Sequence, residues 1–421
     1  MTHDSADDRR QHESRLTRRD FNRLVAAFGA TVACGVLTKA VRAAEPVTYQ
    51  LLAQRAQEAA KAEAGAAAKA EVNLRFGVSG HTPATSQVLR LGIYEFKEDV
   101  ARRTNGTVNI ELLGGNSVCT ELTCIQKCLA GTIHGYNSST QNAALTVPFF
   151  NCLDYPYLFP TRASMFHFFY HPKSEALLRK PLREKFNVEF LWTSCELRNL
   201  YMGLGWRDKP RVRRPEDIRG SKIRVTGSDL GRIGVGLFGA NAIPLDWAET
   251  LEGLKSGVVD GQETSSAAAA AFNMGAVTSQ DVQVEFFAFT EHTAMDARVF
   301  AKLDGKIQQA IREAAFGMQQ FTQRENEKSL EDIVGLQDPP KPGTIWAKYG
   351  VKVNVLSKAE KTAWVERASP EANPKPYQAW RERIAKLSGG VDTYAEIHKI
   401  AREIPETTAA DAVPARRWWS A

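Results

Sequence analysis

From Val72 onward the chain alternates short strand-like and helix-like segments, and that alternation commits it to an α/β fold. In Val72-Asn73-Leu74-Arg75-Phe76-Gly77-Val78 every second residue is apolar, the pattern of a strand with one buried face. Leu89, Ile93, Phe96 and Val100 then share one face at helical spacing, predicting a single helix that stops at Thr104-Asn105-Gly106. A second strand follows over Thr107 to Leu113, a helix near Cys119 to Leu129, and a short strand at Gly131 to Tyr136 that runs into a Ser-rich turn. Gly114-Gly115 lacks the Lys-Ser or Lys-Thr of a phosphate loop and reads as a turn. A second α/β segment begins near Leu197. Its strand is Lys222 to Val225, its helices are Asp229 to Phe238 and Ala248 to Lys255, and an extended piece spans Ala242 to Leu245. A long helix over Ile307 to Glu327 and charged helical turns near Lys358 to Arg367 and Gln378 to Leu387 complete the chain.

The N-terminal residues are not part of this alternation. Thr17-Arg18-Arg19-Asp20-Phe21 carries paired arginines, an apolar run extends from about Leu24 to Leu37, and Val41-Arg42-Ala43 offers small residues for cleavage. A basic region, a short apolar region and small residues in that order make a secretory signal, and the paired arginines direct it to the twin-arginine route. The apolar run is shorter than the roughly 20 residues of a membrane span. Residues 1–43 are therefore expected to be removed on export to the periplasm. Residues 44–71, rich in Ala, Glu and Lys, read as a helical linker.

Charge and cysteines narrow the function classes. The leader holds eight Lys and Arg against five Asp and Glu, so the net charge of +6 falls to +3 without it. A chain so nearly balanced is not built to bind nucleic acid, which calls for a basic stripe. No later stretch is apolar enough for membrane insertion. Cys119, Cys124 and Cys128 have spacings close to, but one residue longer than, a plant-type iron–sulfur run. They read as an iron–sulfur or redox site, as a periplasmic disulfide or as small buried apolar residues. With Cys152 and Cys195 the count beyond the leader is odd, so at least one thiol is free or paired with another chain, and a homodimer stays open. Neither a Gly-x-Ser-x-Gly elbow nor a His-Glu-x-x-His zinc helix is present. No catalytic residue, metal or cofactor is assigned.

Four blocks, taken in order, carry a resemblance. They are Arg103-Thr104-Asn105-Gly106 before a strand, the run from Pro215 to Val225 (Pro-Glu-Asp-Ile-Arg-Gly-Ser-Lys-Ile-Arg-Val), Phe238-Gly239-Ala240-Asn241-Ala242-Ile243-Pro244-Leu245, and Gly257-Val258-Val259-Asp260-Gly261-Gln262-Glu263. Over roughly residues 72–370 the chain resembles the solute-receptor subunit of tripartite ATP-independent periplasmic (TRAP) transporters, of the C4-dicarboxylate-binding type. The resemblance implies a two-domain periplasmic solute-binding fold with a hinge and a long domain-spanning helix. It divides the chain into domain I at 72–196, domain II at 197–290, a hinge return with the long and C-terminal helices at 291–405, and a mobile tail at 406–421.

It also implies a ligand, a small organic acid held in the cleft between the domains, and a partner, the membrane permease. Arg224 is the arginine expected to take the carboxylate, for which a guanidinium is well shaped. Arg198 resembles a second arginine beside the hinge, and Trp247 an aromatic wall. Glu263 and Thr264 follow in the last block, where many members carry Asn-Pro in place of Thr264-Ser265; this departure puts a standard dicarboxylate pocket in question. His81 and the polar turn Ser138, Ser139, Thr140 and Asn142 are the contacts expected from domain I. The segment from His292 to Leu303 is several residues shorter than the family's hinge strand, so either that strand is reduced or a deletion compromises the fold. The rival readings are a twin-arginine-exported redox protein built on the cysteines and a sensor using the same receptor fold.

Overall fold

The computed structural model describes residues 49–419; the leader and its arginine pair lie outside the described residues. A helix over Tyr49–Lys69 precedes the body of the fold and is tied to it by Lys97, whose Nζ lies 2.5 Å from Glu63 Oε1.

Two sheets follow. The first contains β1 (Val72–Gly77), β2 (Val108–Leu113), β3 (Gly135–Ser139), β4 (Val188–Thr193) and, from far along the chain, β10 (Glu291–Asp296), in the order β2-β1-β3-β10-β4. The second holds β5 (Glu196–Gly203), β6 (Lys222–Val225), β7 (Asn241–Pro244), β8 (Gly261–Thr264), β9 (Thr278–Phe289) and β11 (Lys352–Asn354), in the order β11-β9-β5-β8-β6-β7. β1, β2 and β3 pair in parallel, and so do β6, β7 and β8; β10 and β5 enter antiparallel. Each sheet has its own apolar core, with Phe76, Ile110, Phe190 and Trp192 buried in the first and Leu200, Ile223, Val282 and Trp364 in the second. Such a pair of sheets, each covered by helices, is the α/β class predicted from the alternation and the two-domain architecture that the family resemblance implies.

The chain crosses between the sheets at Ser194-Cys195 and again at Thr290. The crossings run side by side, Ser194 N–H donating to Glu291 O at 3.0 Å and Glu196 standing opposite Phe289. β10 is a complete six-residue strand paired on both edges, so the short segment after His292 does not interrupt the return. The long helix, Gly305–Ser329, packs on the first sheet through Gln319, whose amide donates to Thr193 O at 2.7 Å and accepts from Thr193 N–H at 3.1 Å. Asn326 donates to Cys195 O at 3.3 Å, fastening the helix to a crossing. Beyond it the chain reaches the second sheet at β11.

Three sequence expectations are corrected. The single helix through Leu89 and Val100 is two, Pro83–Leu89 and Ile93–Arg103, because Arg90 and Gly92 between them take left-handed conformations at φ 52° and 73°. Cys119 and Cys124 are joined in a disulfide, with Cys128 a free buried thiol. Two of the three sulfurs needed for the iron–sulfur reading are thus bonded to each other. The third correction is the tail. Trp418 is 7% exposed, lies 4.3 Å above the guanidinium carbon of Arg179 and stacks edge-on against Phe316, while Gln323 donates to the carbonyls of Ala410 and Val413. A cation–π contact and apolar burial hold the tail down. Among the described residues no helix is long and apolar enough to cross a membrane.

Trp418→Ala should lower the free energy of unfolding by about 3 kcal/mol, the lower end for a buried aromatic, read as a shift of the urea midpoint. A change below about 0.5 kcal/mol would mean that the tail contributes nothing to the fold.

Candidate functional site

The cleft lies where the strand ends of the two sheets face each other, the position at which open α/β sheets bind ligands. In this arrangement its cavity is small, about 30 Å³. The second sheet contributes Arg198 from β5, Thr264 from β8 and Arg224 from β6, three strands that adjoin in the sheet. Trp247, the first residue of the helix Trp247–Ser256, closes one side. The first sheet contributes His81 from the loop after β1, Ser139 from the end of β3, and Asn142 from the short helix behind it. Gly114 lets that loop fold tightly, since a Cβ there would collide with His81 O.

The two arginines differ. Arg198 and Glu263 are both buried, at 2% and 0% exposed. Arg198 donates to both Glu263 oxygens, from Nε and, at 3.2 Å, from Nη2. Glu263 therefore stands behind Arg198 and does not line the cleft. Arg224, 1% exposed, donates from Nε to Leu245 O at 3.0 Å, while its Nη1 is buried with no hydrogen-bond partner among the described residues. Burial brings the Arg224 guanidinium down to about 10, which leaves it charged at neutral pH. Its carbon lies 5.4 Å from the centre of the Trp247 ring, and Trp247 meets Phe272 edge-on at 5.3 Å. A charged group with an unsatisfied donor, set in an apolar wall, can take a hydrogen-bond acceptor from the cleft, and a carboxylate suits its charge.

Of the remaining predicted contacts, Ser139 both lines the cleft and caps the helix Thr140–Ala143, accepting from Asn142 N–H at 3.3 Å. Ser138 turns away to donate to Glu121, and Thr140 pairs with Thr290 at the crossing.

Sequence reasoning missed two acidic residues in the cleft wall, Glu121 and Glu291. His81 Nε2 lies 3.2 Å from Glu291 Oε1 and 3.6 Å from Glu121 Oε1. Glu291 is the nearer, yet Glu121 keeps the negative charge, because other donors converge on it: Ser79 Oγ at 2.7 Å, Ser139 N–H at 2.9 Å, Ser138 Oγ at 3.1 Å and Asn142 Nδ2 at 3.3 Å. Burial works against that charge, but the hydrogen bond and charge of His81, with Ser139 and Ser79, hold Glu121 down at about 2. Burial and the neighbouring Glu121 charge push Glu291 up to about 8. Burial opposes a charge on His81 as well, but hydrogen bonds and charges from both carboxylates lift it to about 9. Glu121 is thus held down while His81 and Glu291 are pushed up, and the three titrate as one coupled cluster. His, Glu and Glu could also surround a cation, their donor atoms lying within 4.8 Å of one another.

With the geometry in place, comparison with known proteins identifies the chain. The family "Bacterial extracellular solute-binding protein, family 7" matches residues 79–374. The chain belongs to this family. A 2,3-diketo-L-gulonate-binding periplasmic protein of Escherichia coli K12 is 29% identical over 199 residues, covering 45% of this chain and 56% of that protein. A solute-binding protein of Chromohalobacter salexigens is 27% identical over 220 residues, 52% of this chain and 64% of that protein. The matches thus span less than two thirds of these relatives. The crystal structure of a TRAP periplasmic solute-binding protein from Ralstonia eutropha H16, with bound (S)-2-acetolactate, superimposes with a TM-score of 0.64. It is 23% identical and covers 79% of this chain and 99% of that one. The solved relative therefore shares the fold described above.

The cluster also sets a pH dependence. Between the ordinary imidazole value of 6.5 and the raised value of about 9, folded His81 binds a proton that the unfolded chain has released, and Glu291 does the same between 4.5 and about 8. Stability should therefore fall as pH rises from 5 to 9. Below that range it should fall again as Glu121 is protonated on the way to 2. Burial also raises the carboxyls of Asp154 and Glu196 to about 7, which adds to the fall up to about pH 7. The urea midpoint should drop between pH 5 and pH 9, with a shallower slope in Glu291→Gln. A midpoint that rises over this range would contradict the assigned proton positions.

Proposed function

We propose that the chain is the periplasmic receptor of a TRAP transporter, closing on a small organic acid and delivering it to the membrane permease subunits. The observation that carries this reading is Arg224, a buried guanidinium at the cleft with one donor unpartnered among the described residues. A ligand carboxylate fits that donor. Trp247 gives the apolar wall, Thr264, Ser139 and Asn142 supply neutral hydrogen bonds, and Arg198 adds positive potential without a full free charge. The Escherichia coli protein binds diketogulonate and the Ralstonia eutropha protein holds acetolactate, both carboxylates. The lobes move about the crossings at 194–195 and 290, and the ligand favours the closed arrangement because it touches both. No step of bond making or breaking is assigned to the cleft. The leader with Arg18 and Arg19 sends the protein to the periplasm by the twin-arginine route.

A thermal-shift screen of the purified exported protein against organic acids tests the receptor role. A ligand at 100 times its dissociation constant should add about 2.7 kcal/mol, and the matching neutral amide should add nothing. Arg224→Ala should lose carboxylate binding while remaining folded; affinity retained within about tenfold, or about 1.4 kcal/mol, would remove Arg224 from its role. Arg18→Lys with Arg19→Lys should leave the unprocessed chain in the cytoplasm. Unchanged export of that double variant would assign the leader to another route.

A further inference from the structure

The crossing between the sheets has two faces, and the cleft occupies one of them. Successive side chains of a strand point to opposite sides. On β5 Arg198 lines the cleft, whereas Leu197 before it lines a second cavity of about 520 Å³. Across the ladder Ala288 stands opposite Leu197, and Phe289, which lines the cleft, stands opposite Glu196. The second cavity therefore lies on the reverse face of the crossing, and both lobes form its walls. From the first lobe comes Arg162, the first residue of the helix Arg162–Tyr170, whose Phe169 stacks on Phe190 of β4. From the second come Glu285 of β9 and Lys361 of the helix Lys358–Ala368. On the cleft side the lobes are shut, since the cavity there is about 30 Å³ and Arg198, Arg224, His81 and Ser139 are all buried. A hinge that closes one face parts the other, so the wide reverse cavity is the counterpart of the closed cleft.

A chain of charges reaches across this gap. Arg162 donates to both oxygens of Glu327 on the long helix, and its Nη1 lies 3.9 Å from Glu285 Oε1 of the other lobe. Glu285 is paired within its own lobe to Lys361. The backbone places Glu285 there deliberately. Residues 283–286 of β9 stand opposite the single Asn199, and Glu285 takes a left-handed φ of 49° while its N–H donates to Asn199 Oδ1 at 2.9 Å. A bulge re-aims a side chain, and a non-glycine residue at positive φ costs energy that the surrounding fold must offset. Here the bulge sets a carboxylate between one cation from each lobe.

We propose that Arg162 and Glu285 form a latch on the reverse face of the hinge: opening the cleft brings them together, so the pair stabilises the open arrangement, and Lys361 weakens the latch by competing for Glu285. This rests on the hinged-receptor reading above, although none of the three residues touches the cleft. With the cleft shut the pair stands at the limit of ion-pair distance, and rotation toward the open form shortens it. Because the ligand favours the closed form, breaking the latch raises the apparent affinity without altering any group that touches the ligand.

Double electron–electron resonance on the full exported protein, with no acid added, tests the latch. Nitroxide labels are placed on Ser117→Cys, in the exposed turn beside the loop of His81, and on Glu252→Cys, exposed on the helix that begins at Trp247. The free thiols among the described residues are buried and stay unlabelled. The distance between the labels is longer in the open form. Glu285→Gln and Arg162→Gln are each expected to lower the open-to-closed ratio by about fivefold. Lys361→Gln is expected to raise it, an opposite sign that general destabilisation does not produce. A ratio unchanged or raised in Glu285→Gln, or lowered in Lys361→Gln, would overturn the latch and leave the moving hinge in place. A single short distance in all four proteins would overturn the latch together with the hinge motion it rests on.

Discussion

Arg198 and Glu263 lie on the adjoining strands β5 and β8, both out of reach of water, and their charges meet at hydrogen-bond distance. Removing one partner of such a pair leaves the other uncompensated and costs about 3–5 kcal/mol, so the two residues are fixed together. Glu263 also accepts from the backbone N–H of Thr226 at 3.2 Å, at the end of the strand that carries Arg224. One carboxylate thus neutralises the first arginine and orients the strand of the second. The consequence is an ordered division. Arg198 lends potential, and Arg224, a strand beyond Glu263, is left with a free donor. Had Glu263 faced Arg224 instead, Arg198 would be the cleft arginine left without a carboxylate.

The opposite wall imposes the matching constraint. Glu121 accepts from two serine hydroxyls, a backbone N–H and an asparagine amide, and so keeps its charge despite burial. That fixed charge draws a proton onto His81 and keeps one on Glu291. The cleft is thereby polarised, cationic at Arg224 and proton-rich but acidic across from it. Glu121 thus keeps a fixed negative charge on the wall that faces Arg224.

Much of this was legible in the sequence. The strand–helix alternation pointed to the α/β class, while Arg224 was singled out through the family resemblance of the Lys222-Ile223-Arg224-Val225 strand. Arg224, His81, Ser139 and Asn142 all lie around one cleft in the structure. What was not legible depends on long-range pairing. Glu291 reaches His81 across 210 residues of chain, only because β10 inserts between β3 and β4, and nothing local to Glu291 announces that strand order. Glu121 lies beside a disulfide-bonded turn whose pairing the spacing left open. The break at Arg90 escaped notice because the apolar positions on either side stay in helical register, and the tail looked mobile because its anchor, Arg179, is a buried cation far away in sequence.

The hinge and the site are joined through a short set of residues after β6. Thr226, two residues beyond Arg224, donates from its hydroxyl to Gln141 Oε1 at 3.0 Å, and Ser228 donates to Asp154, which also accepts from Gln141. Gln141 and Asp154 belong to the first lobe; Thr226 and Ser228 belong to the second. Ser228 is at the same time the N-cap of the helix Asp229–Leu237, accepting from Gly231 N–H at 3.1 Å. The segment that presents Arg224 to the ligand is therefore also the one that meets the other lobe. Through Thr226 and Ser228 the strand that carries Arg224 is thus fastened directly to the first lobe, and the same two hydroxyls order the start of the following helix.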